Sequence, residues 1–198
     1  MGLDYSYEIF VPAENIARAL AELVELAPRA GQEPPLKLTL PGGDQLVVPF
    51  TSHFKSDPVD CSTDGMLELD TSIMVGVDDA VRGFIDGRDL EPDEFGRVEI
   101  GYVYLTVRFA SVLHPRYASL QFTAATSGMS RMFERSASIR AVFTDLTAAS
   151  GGLCCLLDTE TDVFQMCWLN GRTVQETVPG PRFASCSDLG AAWPDRDQ

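Results

Sequence analysis

The chain has 198 residues, 45% of them hydrophobic, and carries a formal net charge of −14 at pH 7. A chain of this length buries roughly 70% of its unfolded surface, so one domain needs neither disulfides nor a metal to hold it together. No apolar run approaches the ~20 residues of a membrane span, and Asp4 falls where a secretory signal would carry bases, so a soluble, cytoplasmic protein is expected.

In chain order, residues 4–11 (DYSYEIFV) alternate, with Tyr5, Tyr7, Ile9 and Val11 on one side and Ser6, Glu8 and Phe10 on the other. This is the pattern of a half-buried strand. After Pro12 the period lengthens: Ile16, Leu20, Leu23 and Val24 share a helical face until Pro28. Residues 36–50 read as two short strands around Pro41, Gly42, Gly43 and Asp44, a hairpin. A polar, broken stretch follows over 51–65, and then a strand with Leu67, Leu69, Thr71, Ile73 and Val75 on one face and Glu68, Asp70 and Ser72 on the other.

Residues 76–97 hold seven acids among glycines and a proline. A short helical turn capped by Asp78 or Asp79 fits there, and the rest reads as loop. VEIGYVYLTVRFA is a long strand whose apolar phase slips at Gly101, where a bulge is expected. Residues 117–124 alternate again. Met129, Met132, Ser136, Ile139, Phe143 and Leu146 then repeat at helical spacing over 129–149, with Ser127 as N-cap and Gly151-Gly152 as the stop.

A hairpin over 152–171 closes the series, leaving a tail anchored by Phe183 or Trp193. The order predicts an α+β fold, a largely antiparallel sheet with two amphipathic helices packed on one face. Residues 1–171 form the expected single domain and 172–198 a C-terminal tail packed on it or extending from it.

The hairpin GLCCLLDTETDVFQMCWLNG contains Cys154, Cys155 and Cys167. Neighbouring strand residues face opposite ways, so the vicinal pair cannot converge on one metal or one thiol. A four-residue loop over 159–162 places Cys167 opposite Cys154; a three-residue loop places it diagonal to Cys155. Zinc spacing is absent, so the three cysteines read as small core residues with no metal and no disulfide.

The excess charge is uneven. Residues 51–100 carry thirteen acids and four bases, −9 of the total −14, which argues against nucleic acid and for a basic protein or a cation. Thirteen of the fifteen bases are arginine, a usage that suits a GC-rich bacterial genome. The acids Asp78, Asp79, Asp86, Asp89, Glu91, Asp93 and Glu94 mark the expected partner-binding surface, because loops rich in charge steer encounters. They depart from a calcium-loop pattern in both glycine and proline position.

No GxSxG, P-loop or zinc spacing occurs, so no catalytic residue, cofactor or metal is assigned. The sequence therefore predicts a non-enzymatic interaction module of the immunity or inhibitor type. The alternative is a small enzyme or a ligand- or metal-binding protein with a site around His53, Asp57, Asp60 and Cys61.

Overall fold

The structure, a computed structural model, describes residues 2–28, 35–52, 57–88, 90–111, 113–114 and 116–180. Its main element is a seven-stranded sheet in the order β10-β9-β8-β1-β7-β6-β5, in which every neighbouring pair is antiparallel. The strands are β1 (Ser6–Pro12), β5 (Met66–Gly76), β6 (Arg97–Arg108), β7 (Tyr117–Ala124), β8 (Cys154–Asp158), β9 (Val163–Leu169) and β10 (Arg172–Pro179). A small sheet of β2 (Leu36–Thr39), β3 (Gln45–Val48) and β4 (Val59–Asp60) adds the expected hairpin, with β4 parallel to β2. The chain is thus an α+β protein, as its alternating segments predict. The first eight residues of the expected tail form edge strand β10; residues 181–198, including Phe183 and Trp193, lie outside the described residues.

Alternation buries one face of the main sheet. Tyr7, Ile9, Val11, Leu67, Leu69, Val103, Leu105, Val107, Leu120 and Phe122 join one core with residues from helices α1 (Ile16–Val24), α3 (Ser127–Arg135) and α4 (Ala137–Ala149). At its centre the Phe143 ring stacks on Tyr7 at 4.4 Å and lies 4.9 Å from Phe122 and 5.7 Å from Phe133. The Tyr7 hydroxyl donates to the Phe133 carbonyl at 3.0 Å, which satisfies the one polar atom this cluster buries on its ring. A second, smaller cluster of Phe10, Tyr117, Leu153, Cys154, Leu156, Phe164 and Met166 sits on the opposite face. That face is therefore less polar than the alternation implies. Asp70 is buried and Glu8 half-buried, leaving Glu68 exposed. Burial pushes the Glu8 carboxyl up, against the pull of Ser119 and Arg108.

Two bends fall where glycine or serine permits them. Ser72 pairs with Tyr102 but Met74 pairs with Glu99, so Ile100 and Gly101 together oppose Ile73. Gly101 adopts φ +86°, a conformation costly for any residue with a Cβ, and this is the expected bulge.

The helix predicted over 129–149 is in fact two, because Ser136 is extended (φ −80°, ψ 121°). The Ser136 hydroxyl accepts from Ile139 N at 3.0 Å and donates to Asp78 Oδ2 at 2.7 Å, so the serine exchanges helix continuity for a cap on α4. The N-cap of α3 is Thr126, whose Oγ1 accepts from Met129 N. Ser127, expected in that role, accepts instead from Leu3 N. A further short helix, α2 (Asp79–Ile85), grows from the turn expected at Asp78. No described helix is long and apolar enough to cross a membrane.

Candidate functional site

The acidic stretch does not form one loop. Asp78 is committed to folding: Oδ1 accepts from Val81 N at 2.9 Å, capping α2, while Oδ2 accepts from Ser136 Oγ and from Ser138 N at 2.9 Å. Burial alone would raise its pKa, but these donors outweigh it and hold the carboxyl below its ordinary range. Asp79 is exposed and pairs with Arg82 at 3.0 Å. It lines a concavity of about 430 Å³ between α2 and α3 whose wall carries Arg88, Arg131 and Arg135, so its surroundings are not acidic. Asp86 is exposed at the C-cap of α2. Asp89 lies outside the described residues.

Glu91, Asp93 and Glu94 do converge. They line a pocket of about 460 Å³ closed by the segment that follows α1 (Ala27, Pro28), by Met74 of β5 and by the start of β6. Three local features build it. Met74 N donates to Leu26 O at 2.8 Å, tying the segment after α1 to the edge strand. Asp93 opens a turn over residues 93–96, in which Gly96 N donates to Asp93 O and Gly96 takes φ +70°. Asp93 Oδ1 accepts from Phe95 N at 2.9 Å and Arg97 N at 2.8 Å, and Oδ2 accepts from Arg97 Nε and Nη2 at 3.1 and 2.9 Å.

The charge of the pocket follows from these bonds. Burial would raise the Asp93 pKa, but the Arg97 and Phe95 donors hold it below the ordinary carboxylate range. Arg97, the one base on the wall among the described residues, is therefore occupied. Glu91 and Glu94 are exposed and have no ion pair or hydrogen bond among the described residues. Glu99 adds a fourth carboxylate, held by a hydrogen bond from Ser72 Oγ. Between the acids lie Leu90, Met74 and Val98, and Phe95 stands 61% exposed on the lining. An apolar floor with a carboxylate rim suits a long cationic side chain, whose stem packs while its head pairs. Sequence reasoning missed Arg97, Glu99 and the segment after α1. The Asp93 to Arg97 spacing was a readable signal, but the tertiary closure by residues 27–28 was not.

The alternative set is not gathered. Asp57 Oδ1 accepts from Lys37 N at 2.7 Å, and Asp60 Oδ1 accepts from Ser62 N at 2.8 Å. Cys61 is fully buried in the main core while Asp60 is exposed, as adjacent residues of an extended segment must be. His53 lies outside the described residues. Among the described residues, no group of three or more His, Cys, Asp or Glu side chains is placed to hold a metal ion.

The cysteine hairpin resolves in a way neither loop length predicted. Residues 159–162 connect the strands, but pairing begins with Asp158 opposite Phe164, and a bulge then sets Cys155 opposite Trp168. Cys154 joins the second cluster, while Cys155 and Cys167 both enter the main core. Comparison with protein-family models, curated proteins and solved structures gave no match.

Proposed function

We propose that this chain is a non-enzymatic interaction module of the immunity or inhibitor type, which binds a basic protein through the acidic pocket at residues 90–99. The observation that carries this reading is the pairing state of the pocket. Among the described residues its single arginine is held by Asp93, and Glu91 and Glu94 have no partner beside an apolar floor. A lysine or arginine of the partner completes that arrangement. The exposed Phe95 ring supplies an aromatic contact of the kind interfaces concentrate. The wider field of residues 51–100, at −9, accelerates the encounter.

The test is affinity capture from native cell extract with the wild type and with a Glu91→Gln/Glu94→Gln variant, at low and high salt. A basic protein should be retained by the wild type, and its association with the purified variant should be about tenfold slower and less salt-dependent. Melting should not change, since exposed substitutions shift stability by only about 0.5 kcal/mol. Retention of every captured protein irrespective of the two glutamates would refute the reading.

A further inference from the structure

The bulge in β9 has chemical consequences of its own. Cys155 of β8 opposes Trp168, and Cys167 is the inserted residue beside it. Two residues facing one across a bulge share its side of the sheet, and both thiols lie on the helix side. Directly opposed cross-strand residues have Cβ atoms about 4.5–5.5 Å apart, and Cys167 sits one residue from that position, on the same side of the sheet as Cys155.

Arg140 of α4 shares a pocket wall with Cys167. The Arg140 Nη2 donates to Gln165 Oε1 at 3.2 Å. Burial works against its charged form, which the nearby Tyr7 hydroxyl and the two thiols favour. No carboxylate pairs with it among the described residues. A partly buried guanidinium without a counter-ion favours an anion beside it. Cys167 also lines, with Arg140, Thr144 and Gln175, a pocket of about 460 Å³ between α4 and the β9–β10 edge.

We propose that Cys167 is a hydroperoxide-reactive thiol and that Cys155 is its resolving partner. The Cys167 thiolate attacks the O–O bond, an S–O bond forms, and the departing oxygen leaves as water or alcohol after taking up a proton. Cys167 is thereby oxidised by two electrons to the sulfenic acid, and the hydroperoxide is reduced. The Cys155 sulfur then attacks Cys167, the S–S bond forms, the S–O bond breaks, and hydroxide leaves with the Cys155 proton as water. With hydrogen peroxide the balance is two thiols and one peroxide to one disulfide and two waters.

The two sulfurs differ in the direction this order needs. Hydrogen bonding from Cys155 lowers the Cys167 pKa, burial opposes it, and Arg140 adds to the lowering. Burial, followed by the neighbouring Cys167, pushes the Cys155 thiol up. Cys154, on the opposite face, is pushed up by burial to about 12, and no cation offsets it.

Reduced, folded protein is treated with limiting hydrogen peroxide, blocked with iodoacetamide and mapped by peptide mass. Cys167 should react first, and a Cys155–Cys167 disulfide should form while Cys61 and Cys154 stay alkylated. Cys155→Ser should let dimedone trap a sulfenic acid on Cys167, and Arg140→Gln should slow its oxidation about tenfold, because the thiolate loses the neighbouring cation. Oxidation of Cys167 no faster than that of Cys61 or Cys154 in the wild type would overturn the proposal. So would a disulfide that omits Cys155, or a rate indifferent to Arg140→Gln.

Discussion

Phe143→Ala should destabilise the fold by about 3–5 kcal/mol, the usual cost of emptying a buried phenylalanine site. The ring is fully buried and contacts three further aromatics, Tyr7 of β1, Phe122 of β7 and Phe133 of α3. It therefore locks both halves of the broken helix to two central strands. The surroundings cannot collapse easily, because Tyr7 is fixed by its bond to the Phe133 carbonyl. Asp145→Ala, on the exposed side of the same helix, should change stability by about 0.5 kcal/mol or less. Denaturant melts of the two variants provide the comparison. A loss below about 1 kcal/mol at Phe143 would mean that α4 presents another face to the sheet.

Asp78→Ala should cost about 2–3 kcal/mol, more than a surface acid can, because one carboxylate caps α2 and also anchors the break between α3 and α4. Asp78→Asn keeps an acceptor for Val81 N but cannot also accept on its amide nitrogen, so an intermediate loss is expected. The pH dependence has a defined sign. The folded pKa is lowered from the ordinary 3.8, so the stabilisation is complete above that value and is lost as pH falls through the folded pKa. Wild type and Asp78→Ala should thus converge in stability in strong acid and differ most at neutral pH. Urea melts between pH 2 and pH 7 measure this, and a gap that stays constant across the range would contradict the assigned hydrogen bonds.

The alternation of β1, β5, β6 and β7 was legible because a two-residue period with one buried face leaves few other solutions. The bulge at Gly101 was legible too, as a slip in that period. The break at Ser136 was not, since Met129 through Leu146 keep helical spacing across it; the serine turns because Asp78, 58 residues away, offers it an acceptor. That same contact removes Asp78 from the exposed acids, which charge counting cannot reveal. The bulge that sets Trp168 opposite Cys155 was hidden for a similar reason: loop length alone fixes register only when the strands contain no bulge. At the candidate site the acids were visible in the sequence, whereas the floor, assembled from the segment after α1, β5 and β6, depends on the tertiary fold.

The central claim is that the residue 90–99 pocket accepts a cationic side chain. Titration with N-acetylarginine methylamide, followed by amide chemical shifts, tests it whatever the identity of the partner. The account predicts shift changes concentrated at Leu90 to Glu99 and around Met74, abolished by Glu91→Gln/Glu94→Gln and weakened by salt. Absent changes, or changes spread equally to isolated acids such as Glu22 and Asp44, would contradict it.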